Sequence, residues 1–216
     1  MTRLSDLSLE GLVQHTEGLL TCLKSLLADI DKCERLPEAR TFHDVAGYLI
    51  GQLGKCRQAA ICLDVTTLAS ATRSLFECTF IVEYICASEE NLGHFKGDSA
   101  LDELEIFEKL EALDRREPGC SPSPAVEARK AQRRAEVTAL KLEGHRPLQP
   151  RPYAQAVGRA GEYNELYRFY SKLTHATAWA ILGSCSWDML ALFVLSRANL
   201  YAAECWRRLA QHTGFL

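Results

Sequence analysis

The chain has 216 residues, 47% hydrophobic and 25% charged, with a formal charge of −3 at neutral pH. That is the composition of a folded globular domain; it excludes a disordered chain and the strongly basic field of a dedicated nucleic-acid binder, leaving room for a local basic patch only. The 9 cysteines form no CxxC pair and fall mostly at apolar helical positions, which argues against a zinc site and points to reduced core thiols in a reducing compartment.

Helical periodicity dominates from end to end, with no convincing strand alternation. The N-terminus, MTRLSDLSLEGL, lacks the apolar run of a signal peptide, so a cytoplasmic chain is expected. A first helix is expected from about Ser5 to Cys33, with Leu12, Leu19, Leu23, Leu26 and Ile30 on one face and Pro37 closing it. A second runs from Thr41 to about Leu63. A third, from Asp64 to about Ala87, is apolar on most faces and reads as a central buried helix. A fourth, about Ser99–Arg116, is rich in i,i+4 charge pairs and reads as peripheral.

A linker follows at Glu117–Pro124, then a charged helix from Ala125 to Glu143, then a basic, proline-rich break from Gly144 to Tyr153. The last two helices are expected at about Gly161–Leu182 and Trp187–Gln211. Between them the stretch Ala176–Leu195 carries one charge, Asp188, but Gly183–Ser186 interrupts it, so two buried helices fit better than a membrane span. The fold class is therefore all-α: a single domain over 1–216, a bundle of about six to seven helices. Helical blocks at 5–116 and 161–216 are joined by a charged, Pro-rich insertion at 117–160.

Two constellations carry chemistry. Arg73 and Glu77 lie four apart on the apolar third helix. A buried charge left alone costs several kcal/mol, roughly, so they are expected to be tied to something: an ion pair that fixes helix register, or the polar floor of a pocket, with Glu83 a further candidate. The second is the run from Gly161 to His175. On a helical wheel Leu166, Phe169, Tyr170, Leu173 and Ala176 fall on one side and Asn164, Arg168, Ser171, Lys172, His175 and Trp179 on the other. Such a stripe is either a solvated face or a place for phosphate chemistry, with a forked permanent charge at Arg168 and a near-neutral proton carrier at His175. Tyr153, Tyr163, Tyr167 and Tyr170 serve a pocket or finish the edge of the core. No Gly-rich phosphate loop, nucleophile elbow or paired metal-ligand motif occurs, so no cofactor or metal is implied.

The segment RFYSKLTH, Arg168 to His175, resembles the Arg-x4-6-His signature of the HEPN superfamily, small helical bundles of which many are metal-independent ribonucleases. More closely, ATRSLFECTFIVEYI together with YRFYSKLTHAT resembles a bacterial helical family of unknown function in which an Arg-x3-Glu helix precedes a Tyr-x2-Ser-x3-His helix. The resemblance covers Leu63 to Ile85 and Tyr163 to Leu209. It implies Arg168 and His175 as a catalytic pair, a dimer with the two motifs facing across a cleft, and attack of an RNA 2′-OH on its neighbouring phosphate. The sequence departs from active members at Phe169, where a polar residue often follows the Arg.

The leading expectation is thus a HEPN-like toxin or defence protein that cleaves or binds RNA through Arg168 and His175 as a homodimer, with an antidote protein as a further partner and no membrane. The alternative is a non-catalytic module binding a small ligand or protein in a pocket lined by Arg73, Glu77, Ser171 and His175; on either reading Asn164, Tyr167 and Lys172 are further supporting or binding residues. Position separates them. Catalysis on RNA needs Arg168 and His175 at the surface; a ligand pocket needs them turned toward Arg73 and Glu77.

Overall fold

The computed structural model describes residues 8–32, 38–114, 123–142, 148–175 and 186–216. All regular structure among them is α-helical, in eight helices: α1 Leu9–Asp31, α2 Ala39–Ile61, α3 Val65–Ile85, α4 Glu89–Asp114, α5 Pro124–Ala139, α6 Pro150–Ala156, α7 Ala160–Thr174 and α8 Trp187–His212. The chain divides into two compact units. One comprises Met1–Cys86 with Pro150–Leu216, the other Ala87–Gln149.

The first unit is organised around α3, which packs against α2, α6, α7 and α8. Helix α3 buries Leu68, Ala69, Leu75, Phe76, Phe80, Val82 and Ile85, so it has almost no solvent face. Leu23, Leu49, Leu53, Leu195 and Leu209, contributed by α1, α2 and α8, complete the core. Each such side chain stabilises the fold by about 1.5–3 kcal/mol. Helices α1 and α8 also share a buried polar joint: Thr16 Oγ1 lies 2.8 Å from Asn199 Oδ1, and Asn199 Nδ2 donates to the Leu12 carbonyl at 3.2 Å.

Local signals explain most boundaries. Ser8 caps α1 by accepting from the Gly11 N–H, and Asp64 caps α3 by accepting from the Thr67 N–H, each at 3.0 Å. Hydrogen bonding from Thr67 holds the Asp64 carboxyl below its usual range. The α2–α3 turn is so short that one residue, Leu63, ends α2 in the left-handed region, at φ 53°, and Asp64 N–H reaches back to the Ala59 carbonyl at 2.8 Å. The α6–α7 turn uses Gly158, at φ 75°, in the same role.

Helix α6 differs from the sequence reading, which ran an irregular break through Tyr153. Pro150 and Pro152 occupy the first turn, where a helix needs no N–H donor, so prolines that read as breakers start it instead. It buries Tyr153 and Ala154, with Tyr153 edge-on to Tyr84 at 5.1 Å.

The second unit pairs α4 with α5. Helix α4 begins at Glu89, ten residues before the expected Ser99. Ser88 Oγ accepts from the Asn91 N–H at 3.1 Å and two acids sit in the first turn, which outweighs the helix-weakening Gly93 and Gly97. Gly97 is there for another reason: a Cβ would collide with Leu142 Cδ1. The small core is Ala100, Val137 and Leu142, flanked by Leu101 and Leu104. Glu103 joins the helices by accepting from Arg129 at 2.7 and 3.1 Å and from Arg133. The division falls at residue 87, so α4, expected in the first helical block, belongs with α5. Of the linker expected at Glu117–Pro124, residues 117–122 lie outside the described residues, while Ser123 caps α5 and Pro124 starts it.

A left-handed leucine costs roughly 1–2 kcal/mol, while glycine adds unfolded-state entropy worth about 0.4–1 kcal/mol. Leu63 is half exposed, so little packing is lost on its removal. Leu63→Gly is therefore expected to raise stability by about 0.5–1 kcal/mol in urea denaturation, whereas Leu63→Val lowers it.

Candidate functional site

Helix α7 turns Tyr163, Tyr170 and Leu173 inward, and they are buried. The anchor of the two tyrosines is Phe76 of α3, whose ring lies 6.1 Å from Tyr163, 5.9 Å from Tyr170 and 5.3 Å from Tyr201 of α8, and edge-on to Phe80 at 4.8 Å. Tyr170 and Tyr201 bring their hydroxyls to 3.4 Å. Burial pushes both hydroxyls above the ordinary tyrosine value. These tyrosines are core aromatics.

Arg73 and Glu77 are tied to each other: Arg73 Nε donates to Glu77 Oε1 at 2.9 Å, and both side chains are mostly covered. The cover is Tyr167, over whose ring the Arg73 guanidinium sits at 4.2 Å, with Tyr163 stacked on Tyr167 at 5.2 Å. Burial opposes the Arg73 charge, but Glu77 and the Tyr167 hydroxyl more than offset it and hold the guanidinium more firmly protonated. Phe76, Tyr163, Tyr167 and Arg73 thus form a stack that leaves α3, crosses to α7 and returns.

Glu83 does not join this pair. It lies six residues beyond Glu77, about 240° round the helix. It accepts instead from Arg159 Nη1 at 3.2 Å and Arg208 Nη2 at 2.9 Å. Arg159 also bonds Glu162 at 2.7 Å and Glu204 at 2.9 Å, and stands over the Phe80 ring at 5.0 Å. Arg208 Nε lies 3.5 Å from Glu204. The Glu204–Arg208 spacing was visible in the sequence as an i,i+4 pair, but nothing local marks Glu83 and Arg159 as its partners.

The other side of α7 is open. Asn164, Arg168, Lys172 and His175 are exposed and Ser171 is half-buried. Arg168 and His175 are seven residues apart, about 10.5 Å along the axis. The helix was expected to continue to Leu182; it stops at Thr174, and His175 is its extended C-terminal cap, its N–H donating to the Ser171 carbonyl at 3.1 Å. Thr174 Oγ1 donates to the Tyr170 carbonyl at 3.0 Å, a back-bond that accompanies the end of the helix. Trp179 and the rest of 176–185 lie outside the described residues. The structure thus brings Arg73, Glu77 and Tyr167 together, and separately lines up Asn164, Arg168, Lys172 and His175 at the surface.

Among the described residues, no group of three or more His, Cys, Asp or Glu side chains is placed to hold a metal ion, and no helix is long and apolar enough to cross a membrane.

The fold defines a helical protein whose candidate site is a polar stripe on α7 backed by an aromatic core. The chain belongs to a family of unknown function, DUF5677, which matches residues 64–188 and so takes in both the Arg73–Glu77 helix and the helix of Arg168 and His175. In this chain Tyr167 precedes Ser171 by four residues, one more than the Tyr-x2-Ser spacing of the resemblance. No curated protein and no solved structure matches it significantly.

The buried thiols give a pH signature. Burial pushes Cys56, which lies 3.6 Å from Thr72 Oγ1, up to about 12 and Cys86 up to about 11, and it raises Cys205 as well. Folded thiols keep their protons where unfolded ones ionise, so stability is full below about 9 and declines as pH climbs from there toward 12. Urea denaturation at pH 8 and pH 10 is expected to show that decline, reduced in Cys56→Ala. A thiol reagent at pH 8 is expected to modify the exposed Cys62 quickly and Cys56 only on unfolding.

Proposed function

We propose that this protein is a HEPN-like, metal-independent ribonuclease in which Arg168 and His175 act on the RNA backbone. The observation that carries this reading is the placement of α7. Its inner side is locked to Phe76 while Arg168 and His175 stand exposed on its outer side, with Lys172 between them. The ligand-pocket alternative has less support, since Arg73 and Glu77 satisfy each other under Tyr167 and His175 is exposed.

The chemistry follows from the two side chains. The RNA 2′-oxygen attacks the adjacent phosphorus and its proton passes to the His175 imidazole. The bond to the 5′-oxygen breaks, and that oxygen takes the proton from the His175 imidazolium as it leaves, giving a 2′,3′-cyclic phosphate and a 5′-hydroxyl with His175 neutral again. Arg168, a permanent cation with a planar fork of donors, stabilises the extra charge on the phosphate oxygens. His175 supplies proton transfer worth about 10²–10⁴-fold in rate. On this reading the chain works as a homodimer with its α7 stripes facing each other, in a toxin or defence role that an antidote protein restrains.

Purified protein is expected to cleave total RNA in EDTA. His175→Ala is expected to abolish cleavage and Arg168→Ala to slow it about 10²–10³-fold. Both variants should melt like the parent, because neither side chain is buried. Absence of cleavage by the parent, or undiminished cleavage by His175→Ala, would overturn the assignment and return weight to a ligand-binding module.

A further inference from the structure

Helix α8 carries apolar residues on the side away from the core. Met189 and Leu200 are 74% and 58% exposed, and Phe193 is half-buried between them on the same side. Phe193 meets Phe169 of α7 edge-on, with ring centroids 5.5 Å apart and planes at 81°. The Arg197 guanidinium stands 5.8 Å from the Phe193 ring. Phe169 is the neighbour of Arg168, and Lys172 lies three residues on, about 60° round the helix.

The cations of this unit fall into two groups. Arg57, Arg73, Arg159 and Arg208 each hold a carboxylate. Among the described residues Arg168 and Arg197 hold none, as is also the case for Lys24, Arg40, Lys55, Arg151 and Arg207; what distinguishes Arg168 and Arg197 is the Phe169–Phe193 ring pair beside them. Two exposed acids, Glu165 and Asp188, share these helices with Arg168, Lys172, Arg197 and Arg207, so the surface is net positive.

From this juxtaposition we infer that the α7–α8 seam is a track for single-stranded RNA, in which bases stack on Phe169, Phe193 and the flat face of Arg197 while Arg168 and Arg197 hold the backbone. It rests on the RNA-cleaving reading above and extends the substrate contact to α8. Half-exposed rings beside carboxylate-free guanidinium groups are the pairing that sequence-tolerant single-strand binding uses. A duplex keeps its bases stacked inside and offers none to these rings. The same seam accounts for Phe169, the residue that departs from the active pattern after Arg168: its ring is placed against Phe193 rather than toward a phosphate.

The test is fluorescence anisotropy in EDTA with a labelled single-stranded RNA of about 12 nucleotides, a length within the usual range of site sizes. His175→Ala protein is used so that the probe survives. On that background Phe193→Leu and Arg197→Gln are each expected to weaken binding about five- to a hundredfold. Arg197→Gln also flattens the dependence of log affinity on log salt by about 0.7. Arg40→Gln, an exposed cation on α2, changes neither. Arg197→Lys, which keeps the charge and loses the plane, falls between parent and Arg197→Gln. Melting curves identify any variant that fails to fold, and Arg197, half-exposed, is the position where folding is least at risk.

Undiminished binding by Phe193→Leu and Arg197→Gln overturns the inference, as does equal binding of a duplex. So does a change in sedimentation without a change in RNA affinity, which marks a protein–protein face. A ribodinucleotide is too short to span the seam and reads the active pair alone. If His175→Ala abolishes its cleavage while the seam variants bind RNA normally, the track fails and the ribonuclease stands. If dinucleotide cleavage survives His175→Ala while the seam variants lose RNA, the assignment of cleavage to His175 fails and the track stands.

Discussion

The first unit depends on the burial of one ring. Phe76 is fully covered and touches aromatics from its own helix, from α7 and from α8. Offset and edge-on aromatic pairs add about 0.5–1.5 kcal/mol each beyond the area they bury. The larger effect is geometric. A helix held at Tyr163 and Tyr170, seven residues apart, cannot rotate about its axis without breaking both contacts, so the direction in which Arg168 points is set from the opposite side of α7.

Charge is divided between two tasks. The Glu83, Arg159, Glu162, Glu204 and Arg208 network joins α3, the start of α7 and α8 with cations matched to carboxylates. Arg159 caps α7 with no side-chain bond to the helix N–H groups and puts a cation at the positive end of the helix dipole, an unfavourable place that three glutamates offset. Arg168 and Arg197 are excluded from this matching. Folding pairs the charges of the first group and leaves Arg168 and Arg197 without a carboxylate among the described residues.

Much of the helical architecture was legible, because apolar spacing alone marks α1, α2, α3 and α8, and α3 is apolar on most faces, as suits a central helix. The misses were places where a residue means different things in different positions. Proline breaks a helix inside but starts one at its first turn, so α6 was invisible. Glycine weakens a helix but can admit a close neighbour, as Gly97 admits Leu142, so the first ten residues of α4, which hold Gly93 and Gly97, were lost. In the site, Arg73 and Glu77 were legible as an i,i+4 pair and the α7 stripe as a wheel pattern. Tyr167 over Arg73, and Phe169 against Phe193, depend on which helices become neighbours, and no local spacing encodes that.

The discontinuity of the first unit has a consequence during synthesis. Helix α3 is complete in sequence at Ile85, but α8, the helix against which it packs most extensively, begins at Trp187. At about 5–20 residues per second the ribosome needs on the order of 5–20 s to cross that interval. Throughout it the apolar side of α3 destined for α8 has no native partner, and the nascent chain presents Phe76 and Phe80 to whatever holds emerging polypeptides.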